Sequence, residues 1–164
     1  MRAITTSAGL LVAVFGLIAC DSAPQGSPDT NRKRLGVNNS YAEFGQYAVH
    51  VNAMTTDSLL PDVAKNYGIV RSGSQGLVNL VILRNSQDVG VSQPISGKVT
   101  SSVANLTGQV KQMDLQEIRD GESIYYIGVV SVNDRETINF DFDIRPEGSN
   151  QNLAVRYSYQ FYTN

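Results

Sequence analysis

From Tyr41 onward, apolar and polar residues alternate with a period of two. That repeat sends successive side chains to opposite faces of an extended strand. In residues 47–53, Tyr47, Val49, Val51 and Ala53 share one face, while His50 and Asn52 share the other. Residues 77–83 are almost all apolar, which predicts a central strand covered on both faces. Ile95, Gly97, Val99, Ser101 and Val103 alternate with polar neighbours, and residues 110–118 read as one further strand. Asp120-Gly121 then separates that run from residues 123–132, which predicts a hairpin closed by a type I′ turn. A second tight turn is predicted at Asn133-Asp134-Arg135. The cleanest strand follows, with Ile138, Phe140, Phe142 and Ile144 facing inward and Asn139, Asp141, Asp143 and Arg145 outward. After a loop over 146–152, Val155, Tyr157, Tyr159 and Phe161 complete the pattern.

Seven or eight strands at this spacing predict an all-β domain. The first choice is an immunoglobulin-like β-sandwich, and the alternative is a small β-barrel. One short helix is predicted over 60–68, between the first two strands of this pattern. Pro61 and Asp62 suit its first turn, and Gly68 lies just past its end.

The N-terminus follows a different pattern. Arg2 precedes an uncharged, mostly apolar run over 8–19. About 12 residues are too few to span a hydrocarbon core of roughly 30 Å, but they suit the core of a secretory signal. The run ends in Leu17-Ile18-Ala19-Cys20, which resembles the lipobox of bacterial lipoproteins. The resemblance implies cleavage before Cys20, acylation of Cys20, and a lipid bilayer as partner. Two or three acyl chains anchor a protein stably where one binds only marginally. Asp21 after the cysteine resembles an inner-membrane retention signal of enteric-type bacteria. Other lineages read that position differently, so inner and outer membranes both stay open. The expected location is the cell envelope, facing the periplasm.

Residues 21–40 are poor in large apolar side chains and rich in Ser, Pro, Gly and Asn. Such a stretch buries too little area to offset its ordering entropy. The domain plan is therefore a lipoprotein signal peptide over 1–19, a lipidated cysteine and flexible tether over 20–40, and a single β-sandwich over 41–164. Arg32-Lys33-Arg34, within the tether, could rest on anionic headgroups or simply solubilise a loop.

Several residues of the body carry a family resemblance. These are 44–56, Pro61, Ala64, 67–69, Arg71-Ser72, Gly76, Asn79 and 124–126. Together they resemble an uncharacterised proteobacterial envelope family, domain of unknown function 4426, over about 41–164. The resemblance implies membership and no particular chemistry.

Composition narrows the chemistry. The chain has 164 residues, 13 basic and 15 acidic side chains, one His and one Cys. Near-neutral charge argues against nucleic acid as a partner. A single Cys excludes an internal disulfide or a Cys-rich zinc site, and no cofactor or metal is expected. His50 and Asn52, with Thr55 and Thr56, form a possible polar ligand patch or hydrogen bonds that fix the following loop. Asp141 and Asp143 are two residues apart on one strand, so they share a face roughly 7 Å apart. They form a possible acidic pair, although calcium needs six to eight oxygens and glycoside hydrolysis needs carboxylates that straddle the scissile bond. In the aromatic-rich second half, Tyr157, Tyr159 and Phe161 share one face and read as core, while Tyr125 or Tyr126, and Tyr162, could supply an exposed aromatic platform.

The expected function is a non-enzymatic binding or interaction module of the envelope, taking a protein, peptide or glycan partner. The alternative is a hydrolase acting on cell-wall or carbohydrate substrates through His50 or the Asp141/Asp143 pair.

Overall fold

The computed structural model describes residues 32–85 and 91–163. The predicted signal peptide, Cys20 and the tether up to residue 31 lie outside the described residues. The elements in chain order are β1 (Lys33–Gly36), β2 (Tyr41–Phe44), β3 (Tyr47–Thr55), α1 (Pro61–Asn66), β4 (Gln75–Asn85), β5 (Ser92–Pro94) and β6 (Gly97–Asn105). They continue with β7 (Val110–Lys111), β8 (Leu115–Asp120), β9 (Ser123–Ser131), β10 (Thr137–Pro146) and β11 (Leu153–Gln160).

Two sheets face each other, as the period-two pattern predicts, and they do not close into a barrel. The first sheet has the order β1-β11-β10-β6-β7, and the second the order β2-β3-β4-β9-β8, with β5 added beside β4. All pairings are antiparallel except β1 with β11. In β10 the inward side chains Ile138, Phe140, Phe142 and Ile144 are fully buried. They meet Val49, Val51, Val78, Leu80 and Ile82 from the second sheet in one core. Phe140 stacks with Phe142 at 6.3 Å and meets the edge of Phe161 at 6.4 Å. Each large apolar side chain buried this fully contributes about 1.5–3 kcal/mol.

Helix α1 falls between β3 and β4, which correspond to the first two strands of the predicted pattern, and β1 and β2 are added ahead of them. Pro61 starts it, and Gly68 ends it at φ 66°, with Ile69 N–H donating to the Ala64 carbonyl at 2.8 Å. This is the double-bonded C-terminal motif that favours glycine in the left-handed region. The segment after α1 lies over the outer face of the second sheet, where Tyr67 to Val70 line a cavity with Gln75, Ile127 and Val129. No helix among the described residues is long and apolar enough to cross a membrane.

Three local expectations change. First, the run over 110–118 is not one strand. The chain leaves the first sheet after Lys111 and enters the second at Leu115. Lys111 stays behind to pair with Glu136 at 2.6 Å, while Glu117 turns in beside Tyr126. Second, Asp120 pairs with Ser123, so the hairpin loop is Gly121-Glu122, and Gly121 has the positive φ, 58°. A positive φ at the first loop position alone is a type II′ turn rather than type I′. Third, residues 77–83 are covered completely on one face only. Val78, Leu80 and Ile82 are buried, but Asn79 and Val81 on the other face are half-exposed.

The tether expectation also changes. Residues 33–36 form β1, parallel to β11 with Leu35 opposite Tyr157, and Leu35 is buried in the core. Just before it, the Arg32 guanidinium donates to the Phe142 carbonyl at 3.0 Å and the Asp143 carboxylate at 2.8 Å. One apolar residue among polar ones is too weak a local signal to reveal a strand whose partner lies at the other end of the chain.

Glu136 clamps the end of the sandwich. Its carboxylate accepts from Lys111, from the Asn105 amide at 3.0 Å and from the Asn133 N–H at 2.9 Å. Burial works to raise its pKa, but these donors outweigh it and hold the carboxyl at about 2.

Two outcomes follow for stability. A chain starting at Ser40 loses Leu35 and Arg32, and should unfold about 10 °C below one starting at Arg32, a loss of about 3 kcal/mol in calorimetry. Equal melting temperatures would mean that β1 contributes nothing. Because the Glu136 pKa is depressed on folding, its stabilisation is complete above about 4.5 and disappears as pH falls towards 2. Glu136→Gln should therefore cost about 2 kcal/mol at pH 7 and flatten the acid limb of the stability curve over that window.

Candidate functional site

Strand β3 is longer than its edge partner. β2 pairs with it only from Tyr47 to His50, and Ser40 accepts from the Val51 N–H at 2.8 Å. Beyond Val51, β3 runs on along the side of the sandwich and pairs with β4 as far as Thr55. A groove of about 500 Å³ lies there. Its wall on the second sheet carries His50, Asn52, Asn79 and Val81, and Tyr157 and Tyr159 of β11 form the opposite wall. Val37 and Ser40, from the connection between β1 and β2, close one end.

The period of two accounts for the polar wall. His50 and Asn52 share the outer face of β3, and Asn79 is the register partner of Asn52 on β4. His50 packs against the Tyr41 ring, with centroids 4.6 Å apart. Burial pushes its pKa below the usual imidazole value, so the ring is neutral at pH 7. The Oδ1 of Asn79 is buried and has no hydrogen-bond partner among the described residues. A buried acceptor left unpaired costs about 1–3 kcal/mol, and a donor brought into the groove would recover it. On the opposite wall, burial raises the Tyr157 hydroxyl pKa, opposed by a backbone hydrogen bond from Ala53.

The four residues of the predicted patch separate. His50 and Asn52 line the groove, whereas Thr55 and Thr56 turn into the loop after β3. Thr56 is fully buried. Its hydroxyl donates to the carbonyls of Val70 or Ser72, at 2.9 and 3.0 Å, and accepts from the Ser72 N–H at 2.8 Å. Thr55 meets the Ser58 hydroxyl at 3.1 Å. These two threonines fix the connection to α1. Asn79, Tyr157 and Tyr159 replace them in the groove. Asn79 is the one polar residue inside an apolar strand run, and that was the available signal for it.

Asp141 and Asp143 do share a face, but neither is a free carboxylate. Arg156 grips Asp141 with two hydrogen bonds, at 2.8 and 2.7 Å, and the Arg32 Nε lies 3.6 Å from the same carboxylate. Asp143 accepts from Arg32. The pair is therefore bound into an ion-pair network across β1, β10 and β11, and among the described residues no group of acids, His or Cys is placed to hold a metal ion.

A second polar cluster lies between the sheets at their other end. The Tyr126 hydroxyl donates to Glu117 at 2.6 Å and accepts from the Gly97 N–H at 2.7 Å. Burial first, then the Glu117 carboxylate, push the Tyr126 pKa up to about 12, while that hydrogen bond lowers Glu117. The proton thus stays on the tyrosine. Arg119 bonds both Glu117 and Ser96, so each member is engaged in joining the start of β6 to β8 and β9.

The fold and groove define an all-β sandwich domain with a polar and aromatic cleft along one side. The chain belongs to the family described as a domain of unknown function (DUF4426), whose model matches residues 41–164. It resembles the crystal structure of a DUF4426 family protein from Pseudomonas aeruginosa PAO1, with 26% identity and a TM-score of 0.64. That likeness covers 76% of this chain and 94% of the other. A family 123 glycoside hydrolase from Clostridium perfringens, concerned with glycolipid glycan hydrolysis, matches at 11% identity and a TM-score of 0.34. It covers 71% of this chain and 27% of that one, and the likeness is too low to bear on function. No curated protein matches. The family match begins at residue 41, so Arg32 and β1 precede it.

Proposed function

We propose that this chain is a lipid-anchored module of the cell envelope that binds a partner, and that the groove beside β3 is its binding face. The observation that carries the reading is the unpaired Asn79 Oδ1, buried at the groove wall beside His50 and Asn52. The groove offers an acceptor, a neutral imidazole and the half-buried Tyr159 ring, a combination suited to an amide group with an apolar neighbour. A peptide and an N-acetylated glycan share that chemistry. An amide N–H would satisfy Asn79, and Tyr159 would supply a ring face. The tetrad ending in Cys20 supports the anchor and the envelope location. The hydrolase alternative has less support, because the paired carboxylates are bound to Arg32 and Arg156 on a different face and no acidic residue among those described lines the groove beside His50.

Two measurements test the reading. Replacing Cys20 with Ser should move the protein from the membrane fraction to the soluble periplasmic fraction, and retention in the membrane would defeat the anchor. For the groove, a photoreactive side chain at Asn52 should give a discrete adduct in the native envelope. Asn79→Leu should abolish that adduct and raise stability by about 1 kcal/mol, since it removes an unpaired acceptor from a half-buried sheet face. An adduct that survives Asn79→Leu would show that the groove is not the binding face.

A further inference from the structure

The outer face of the first sheet carries an unusual charge pattern. Arg34 of β1 stands directly opposite Arg156 of β11, and Lys98 of β6 stands directly opposite Arg145 of β10. Arg32 lies on the same side, against Asp141 and Asp143. Five basic side chains therefore share this face with two acidic ones, in a chain whose net charge is −2. Like charges directly opposite each other destabilise a sheet. Asp141 relieves Arg156, but Lys98 and Arg145 are exposed and no ion pair neutralises them among the described residues. Asp143, already engaged by Arg32, lines a shallow cavity with them, and Glu147 in the following loop lines a second, without forming an ion pair to either. The outer face of the second sheet differs, with uncharged Val81 on β4, Ile127 and Val129 on β9 and Ile118 on β8.

We propose that the outer face of the first sheet docks on an anionic phospholipid surface. The inference rests on the lipid-anchor reading for the nearness of a membrane. Arg32 lies twelve positions after Cys20, a reach of no more than about 43 Å even when fully extended. The chain enters the body at β1, the edge strand of this same sheet. An anchor at Cys20 thus holds the basic face, rather than the groove alone, within reach of the headgroups. Each basic side chain brought close to such a surface strengthens binding roughly five-fold, within a screening distance of about 8 Å at physiological salt. A body held down on this face leaves the outer face of the second sheet, with Asn52 and Asn79, turned away from the lipid.

The chain has a single Cys, which the anchor reading acylates, so an introduced cysteine can be labelled alone. The test uses the full lipidated chain on vesicles of phosphatidylcholine, with or without phosphatidylglycerol, containing headgroup-quencher lipids. A fluorophore at Ser102→Cys reports the outer face of the first sheet, and one at Gln116→Cys reports the outer face of the second. The Ser102 label should be quenched at least three-fold more on anionic than on neutral vesicles, and high salt should abolish the difference. The Gln116 label should not respond. Lys98→Glu with Arg145→Glu should return quenching to the neutral-vesicle level, and Lys98→Gln with Arg145→Gln serves as the milder pair should charge reversal impair folding. Equal quenching of both labels, or quenching indifferent to lipid charge, would overturn the proposal and leave the face to an acidic protein partner. Flotation with neutral vesicles tests the anchor separately. A chain that floats only with anionic vesicles would refute the anchor and keep the docking face.

Discussion

The alternation along β10 is the constraint on which the rest of the molecule depends. Its inward residues, Ile138, Phe140, Phe142 and Ile144, are fully buried and form the central seam of the core. Its outward residues include Asp141 and Asp143, which hold Arg156 of β11 and Arg32 before β1. One strand therefore organises the packing between the sheets and the charge network outside them. A one-residue slip would exchange the two sets, placing aspartates in the core and phenylalanines in water. Register here is consequently specified on both faces.

The groove arises from unequal strand lengths. β3 extends past the last β2 pairing, so its far half lines an open side instead of an interior row. The aromatic wall comes from β11, whose Tyr157 turns its hydroxyl to the Ala53 backbone and so ties the second wall to the first. The loop after β3 is held independently by Thr56, whose hydroxyl donates to the carbonyl of Val70 or Ser72 and accepts from the Ser72 N–H. Among the described residues two buried side-chain oxygens lack a hydrogen-bond partner, Asp57 Oδ1 in the turn after β3 and Asn79 Oδ1 at the groove wall. Unpaired buried polar atoms are uncommon in folded proteins because of their cost, which is why the one that faces the groove carries weight.

The outer faces of the two sheets are chemically unlike. The first is basic, with ion pairs, and the second is largely uncharged and half-covered by the segment after α1. This asymmetry gives the body an orientation relative to any charged surface. It also separates two tasks that the sequence presents together, because the acidic pair belongs to the basic face and His50 to the groove.

By itself, the sequence determined the class of fold and most of its strands. The alternation in β3, β10 and β11 is local, and local periodicity reports burial because a period of two maps onto the faces of a strand. Pro61 and Gly68 marked α1 for an equally local reason, the backbone angles that each residue favours. The N-terminal tetrad is linear and needs no fold to be read. Tertiary structure alone decided what depends on distant partners. β1 is a strand because β11 lies beside it, and Arg32 meets Asp143 across 111 positions of sequence. The run over 110–118 divides because its two halves find partners in different sheets, a choice its own pattern does not contain. The same holds for the candidate site. His50 and Asn52 were visible as one face of one strand, but Asn79 and Tyr159 join them only through pairing and sheet stacking. Nothing in the spacing of Asp141 and Asp143 shows that two arginines, one on each side in sequence, have already claimed their charge.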